Sequence, residues 1–282
     1  MLRWIFLAWL LPAVSLAQKS QTASSGGVDV LVCYPGGAMS TQDAESAMGF
    51  MLRALEETGG WNAGTMKGLF ATDINDCTKI LNEQKPQFAI TTLGIFLESR
   101  EKLNLIPLVQ PSIKGSSSDV YRILVRKGAF TSFEELKGKT LEGPLVGEPV
   151  FLKRVVFQGE MDPVSFFVLK RSRRVLRSLR NVAEGKLDAV IVNSQQYRAI
   201  GSLPFADELF VIFTSEEIPL VGVVANGQRT TDDERNRFSQ ALGKLCDHPD
   251  GKYLCELFGV ETFVPAEIKA FGKVIDLWDS KK

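Results

Sequence analysis

The feature that most limits what this chain can fold into is a repeated alternation. Short runs rich in β-branched residues take turns with longer amphipathic runs. Residues 28–33 (VDVLVC), 64–70 and 88–92 read as strands, residues 40–58, 73–84 and 93–102 as helices, and residues 103–110 as extended again. A strand that reaches the next strand through a helix returns to the same end of its sheet. Such a series therefore predicts a largely parallel sheet covered on both faces. In the 40–58 helix, Ser40 or Thr41 is the expected N-cap, and Ala44, Met48, Met51, Leu52 and Leu55 share one face.

A second unit of the same kind follows. Residues 121–126 read as a strand, and residues 132–139 as a short helix with Ser132 and Glu135 in capping-box positions and Gly138 at its end. Residues 137–157 (KGKTLEGPLVGEPVFLKRVVF) then run as strand 140–145, a Gly147-Glu148-Pro149 turn and helix 150–157. That layout aims backbone N–H groups and a helix N-terminus into a cleft, where the dipole favours an anionic or polar group. Beyond it come strand 164–169, a basic helix at 172–184 closed by Gly185, strand 187–192, an extended run at 209–214 and a long strand at 218–225. Helices at 231–244, 252–258 and 265–277 finish the chain. A second α/β unit inserted into a first makes a clamp with two crossings, near residues 118–126 and 219–225. Ligands of open α/β sheets lie outside the strand carboxyl ends, so the predicted site is the cleft between the units.

The N-terminus bounds the compartment. Met-Leu-Arg, an apolar run at 4–16 and Ser15-Leu16-Ala17 have the form of a secretory signal peptide cleaved after Ala17. Residues 18–27 are a Ser/Gly/Thr-rich lead. An exported, periplasmic protein is expected. The 33 basic and 33 acidic residues balance, which argues against a nucleic-acid partner. The four cysteines fit disulfides in an oxidising compartment. Cys246–Cys255 is locally plausible across the Pro249-Asp250-Gly251 turn, and Cys33 and Cys77 form either a second bridge or two buried thiols. Cys246, His248 and Cys255 lack a fourth metal ligand, so no metal is expected. Neither a nucleophile–base grouping nor a nucleotide glycine motif is present, and Gly36-Gly37 alone is weak. The pairs Glu56-Glu57, Glu134-Glu135 and Glu216-Glu217 read as helix-surface or loop residues. No cofactor and no enzymatic activity are expected.

Several segments resemble one family. Tyr121-Arg122-Ile123-Leu124-Val125-Arg126 with the run from Ser132 to Thr140 resembles the crossover segment of periplasmic substrate-binding proteins for phosphate, phosphite and phosphonate uptake. Val182-Ala183-Glu184-Gly185-Lys186-Leu187-Asp188-Ala189 is similar to that family's helix-to-strand signature, Ile218-Pro219 to its return crossing, and residues 247–264 to its C-terminal helices. The resemblance implies an α/β fold of the two-lobed type 2 periplasmic binding protein kind: two mixed sheets flanked by helices and joined by two crossing strands. Residues 18–119 plus 221–282 would form lobe 1 and residues 120–220 lobe 2. Phosphonate binders of the family place a Ser-Thr-Ser-Gly run at the second-lobe helix N-terminus. Here the matching positions are Leu145-Val146-Gly147-Glu148. The hydroxyl donors are gone and a carboxylate stands in their place, so phosphonate binding is not assigned. Arg173, Arg174 and Val175 occupy the zone of the family's histidine, and Asn193 that of its acidic residue.

Residues at strand ends and crossings form the candidate ligand site: Tyr34, Thr91, Thr92, Tyr121, Gly147, Glu148, Arg173, Asn193 and Ser194. The leading expectation is a monomeric exported solute-binding protein that closes on a small polar or anionic ligand and delivers it to an ABC-type permease. The alternative is a repurposed binding-protein fold acting as a sensory or protein-interaction module, for which the altered turn is the motive.

Overall fold

The computed structural model describes residues 27–35 and 41–280. The leader at 1–17, the lead up to residue 26, Gly36-Gly37 and the Ser40 cap lie outside the described residues.

The first sheet is built from β1 (Val28–Cys33), β2 (Met66–Ala71), β3 (Phe88–Ile90), β4 (Leu105–Ser112), β12 (Val223–Asn226) and β13 (Thr262–Pro265), in the order β13-β4-β12-β3-β1-β2. Its helices are α1 (Thr41–Gly59), α2 (Ile74–Glu83), α3 (Leu93–Leu103), α8 (Asp232–Gly243) and α9 (Pro249–Phe258). Strand β1 pairs parallel with β2 and β3, as the alternation requires. The returning strand β12 then inserts antiparallel between β3 and β4, and β13 adds antiparallel to β4. The sheet is mixed because the chain re-enters it from the other lobe.

The second sheet contains β6 (Arg122–Arg126), β7 (Thr140–Gly143), β8 (Val168–Arg171), β9 (Ala189–Val192) and β10 (Leu209–Thr214), in the order β10-β6-β9-β7-β8. Single helical turns α4 (Pro149–Phe151) and α5 (Pro163–Phe166), with α6 (Val175–Ala183) and α7 (Ser194–Ile200), complete that lobe. The two crossings, β5 (Ser118–Asp119) and β11 (Ile218–Pro219), pair with each other as a two-stranded ribbon between the sheets.

Local chemistry explains most element ends. Asp73 caps α2 and Thr92 caps α3 by accepting backbone N–H bonds, and Asn104 closes α3 in the left-handed region at φ 49. Thr231 with Glu234 and Asn193 with Gln196 form capping boxes on α8 and α7. Apolar faces meet in two large clusters, one that runs through both lobes and one within the first. In the first lobe Phe88 stacks on Phe238 with ring centroids 3.7 Å apart. In the second, Phe133 contacts Phe157, Phe166, Phe167 and Phe213.

Five local expectations are corrected. Residues 164–169 are not one strand. Asp162 caps a turn with Pro163 at its first position, and the strand starts only at Val168. The 150–157 helix is a turn at Pro149 that widens into a π segment, Leu152–Val156, closed by Phe157 N–H donating to Leu152 O at 2.8 Å. The Ser132–Glu135 box is shifted: Glu135 accepts from Thr131 N–H and hydroxyl, and Ser132 makes no side-chain cap. Strand 218–225 breaks into β11 and β12, and a Cβ at the intervening Gly222 would stand 2.6 Å from Val109 O. Glu56 is no surface residue. At 4% exposure it accepts the N–H groups of Gly64 and Met66 at 3.0 and 2.7 Å, fixing the entry to β2.

The last helix, α10 (Gly272–Ser280), straps both lobes. Arg100 of α3 pairs with Asp279 at 2.5 Å, while Arg154 of the π segment donates to Trp278 O at 3.1 Å and lies 5.0 Å over its ring. No helix among the described residues is long and apolar enough to cross a membrane.

Candidate functional site

Parallel strands of both sheets deliver loops to the inter-lobe cleft. Tyr34 follows β1, Thr91 and Thr92 follow β3, Pro144 and Leu145 follow β7, and Asn193 follows β9. Between them lies a cavity of about 450 Å3. Its lining is mainly aliphatic and aromatic. The polar side chains on it are those of Tyr34, Thr91, Thr92, Asp119, Tyr121, Glu148, Asn193 and Gln196, with the thiol of Cys33.

Glu148 spans the lobes. Its Oε2 accepts the Thr92 hydroxyl at 3.0 Å, and the same hydroxyl accepts Ile95 N–H at 3.2 Å. One hydroxyl thus caps α3 and holds a carboxylate from the other lobe against the start of that helix. The fit depends on Gly94, where a Cβ would come within 2.1 Å of Glu148 Oε2. Burial pushes the Glu148 carboxyl up to about 7, against a smaller opposing effect of the Thr92 hydrogen bond. The position that the sequence marked as an altered anion cradle is therefore an acidic contact between lobes.

The rim is closed by arginine. Arg171 donates to Asp73 Oδ2 at 2.9 Å, which holds the Asp73 carboxyl below its usual range, and to Thr72 O at 3.4 Å. Arg173 also reaches Thr72 O, at 3.3 Å. Arg173 is an exposed latch across the cleft mouth and does not line the cavity. Gly147 packs beside the Arg171 side chain and faces a second cavity of about 480 Å3 on the far side of Glu148.

The crossing is braced from α7. Ser194 Oγ accepts Val120 N–H at 3.0 Å, and Ser194 N–H donates to Asp119 Oδ1 at 2.8 Å. Asn193 spends its side-chain oxygen on Gln196 N–H at 2.8 Å. Ser194 is thus occupied with backbone, and Asn193 combines a cap with a place on the cavity wall. Tyr121 stands in the fields of Asp119 and Glu148, which add to burial in raising its hydroxyl pKa. Tyr34 packs edge-on against Phe258 at 5.5 Å and remains 37% exposed. Thr91 is 6% exposed, and its Oγ1 is buried without a hydrogen-bond partner.

The cleft therefore assembles Tyr34, Thr91, Thr92, Tyr121, Glu148 and Asn193. Gly147, Arg173 and Ser194 take structural or rim positions. Sequence reasoning passed over Asp119, whose signal was its place in the first crossing, and Gln196, whose signal was its place three residues after a helix cap. Cys246 and Cys255 form a disulfide, whereas Cys33 and Cys77 are free and buried. The second bridge is thus absent: the Cys33 thiol is hydrogen-bonded to Cys77 and buried, and its pKa is raised on both counts. Among the described residues no group of three His, Cys, Asp or Glu side chains could hold a metal ion.

A family model described as ABC transporter, phosphonate, periplasmic substrate-binding protein matches residues 37–271. A binding protein component of an ABC phosphonate transporter from Pseudomonas aeruginosa superposes with a TM-score of 0.68 at 18% identity, covering 91% of this chain and 87% of that one. A Xanthomonas citri protein bound to ATP gives 0.68 at 14% identity, over 91% and 97% of the two chains. A Prochlorococcus marinus protein in complex with methylphosphonate gives 0.65 at 14% identity, over 90% and 99%. These likenesses establish the two-lobed fold. No curated protein matches the sequence.

Proposed function

The chain belongs to the family of periplasmic substrate-binding proteins of phosphonate ABC transporters, and from that premise we propose that it captures a small molecule between its lobes and presents it to an ABC-type permease. The observation that supports this most is the cavity of about 450 Å3 at the carboxyl ends of both sets of parallel strands. Its size falls within the range of ~300–1,000 Å3 usual for ligand pockets. Tyr34, Thr91, Tyr121, Glu148 and Asn193 would supply the polar contacts. Lobe 1 would be residues 18–119 plus 221–282 and lobe 2 residues 120–220, moving about the β5–β11 ribbon. After cleavage behind Ala17 the protein would act in the periplasm as a monomer, with no nucleic-acid partner and no catalytic role.

The phosphonate site would be altered. Val146-Gly147-Glu148 stands where hydroxyl donors would grip an oxyanion, and Glu148 already fills the start of α3. A second reading follows from that contact. A carboxylate that joins the lobes suits a sensory or protein-interaction module that closes without a solute.

Thermal shift on the mature chain separates the two. In a panel of small solutes, the transport reading expects at least one to raise the melting temperature of the wild type and not of Tyr121→Ala. Stabilisation by none of them counts against a solute cleft and favours the second reading.

A further inference from the structure

Resting on the reading of the cleft as a solute site, the geometry points to its ligand class: we propose a small molecule with an apolar body and a protonated amine head, the ammonium lying at the acidic wall where Asp119 and Glu148 flank Tyr121.

Two observations converge on it. Among the described residues no lysine, arginine or histidine lines the cavity. Among the described residues the charged side chains on the wall are two carboxylates, Asp119 at 8% exposure and Glu148. Asp119 Oδ1 accepts the N–H groups of Val120 and Ser194, both at 2.8 Å, and its second oxygen has no hydrogen-bond partner among the described residues. The hydrogen bond to Glu148 comes from the neutral Thr92 hydroxyl, and the guanidinium whose charge reaches it, Arg171, is paired with Asp73 at the rim. A buried carboxylate whose hydrogen bonds come from neutral groups alone is costly, and a ligand ammonium at this wall offsets that cost.

An ammonium has three donors and no acceptor, which suits a wall whose charged groups are both carboxylates. Tyr121 and Phe151, edge-on with centroids 6.3 Å apart, stand by the acidic end and can face a cation. The rest of the wall, with Val32, Met48, Ile90, Leu145, Val192 and Leu220, asks for hydrocarbon. A phosphonate dianion would meet two carboxylates and no compensating cation.

The test is titration calorimetry of the mature wild-type protein at pH 8 with phenethylammonium, its neutral isostere 2-phenylethanol, and methylphosphonate. Phenethylammonium is expected to bind at least ~10-fold more tightly than the alcohol, the effect of a charge-assisted hydrogen bond gained. Methylphosphonate is expected not to bind. Glu148→Gln and Asp119→Asn should each lower the preference for the ammonium over the alcohol by ~10-fold. Tighter binding of methylphosphonate, or equal affinity for amine and alcohol, overturns the ligand class while leaving a solute cleft in place. Binding of no probe by a folded protein, together with a thermal-shift panel that finds no stabilising solute, overturns the cleft reading as well.

Discussion

Glu148→Gln should change how stability depends on pH. Glu148 is held at about 7 in the fold against 4.5 when unfolded, mainly because the cleft removes its carboxylate from water. At ~1.4 kcal/mol per pH unit, that difference is worth about 3 kcal/mol. The sign follows from proton counting. Between pH 4.5 and 7 the folded state holds a proton that the unfolded state has released. Stability from this group is therefore complete below pH 4.5, falls as pH rises through 7, and is flat above. Gln keeps a side-chain oxygen for the Thr92 hydroxyl and cannot ionise. Urea unfolding of both proteins from pH 4 to 8.5 reads the effect, because every other titration cancels in the difference. The variant should gain about 3 kcal/mol on the wild type across that range. Gly94→Ala, which pushes a methyl into the carboxylate, should flatten the same slope by driving Glu148 into water. Parallel pH profiles for wild type and Glu148→Gln would refute a buried carboxyl of raised pKa at the lobe contact.

Other consequences are simpler. Glu56→Ala orphans the N–H groups of Gly64 and Met66 and should cost about 2–4 kcal/mol in chemical denaturation. Trp278→Ala removes a ring 7% exposed from the strap across both lobes; a loss of about 3–5 kcal/mol is expected by the same assay. Cys246→Ser with Cys255→Ser opens a loop of sequence separation 9, and chain entropy places the loss at about 2.5–3 kcal/mol. A reducing agent should reproduce that loss in the wild type, and thiol titration under denaturing, non-reducing conditions should find Cys33 and Cys77 as the free pair.

Most of the architecture was legible in the residues because it rests on local signals. The β1-α1-β2-α2-β3-α3 order shows as a change of hydrophobic period, and the caps at Asp73, Thr92, Asn193 and Thr231 are side chains of the expected type. What stayed hidden needed partners distant in sequence. Glu56 looks like half of a surface pair until β2 folds back onto its carboxylate. Asp119 looks like a loop acid until α7 donates to it. The strand proposed at residues 164–169 fails because Asp162-Pro163 starts a helical turn, a signal that the β-branched composition outweighed. At the site, Glu148 was legible as a departure from a hydroxyl-rich cradle, but its bond to Thr92 spans 56 residues of sequence. Arg173 was drawn into the ligand set by its charge and its place near the start of the basic helix, yet its guanidinium ends at the rim on Thr72 O.

Whether a solute sits between the lobes is tested most directly by methyl NMR of the mature chain, titrated with whichever solute stabilises it. Ligand between the sheets should shift the methyls of Ile90 and Val223 on one wall together with those of Leu145 and Val192 on the other, with one common affinity. Shifts confined to a single wall, or to exposed positions such as Val164 and Leu176, would contradict a ligand-binding cleft.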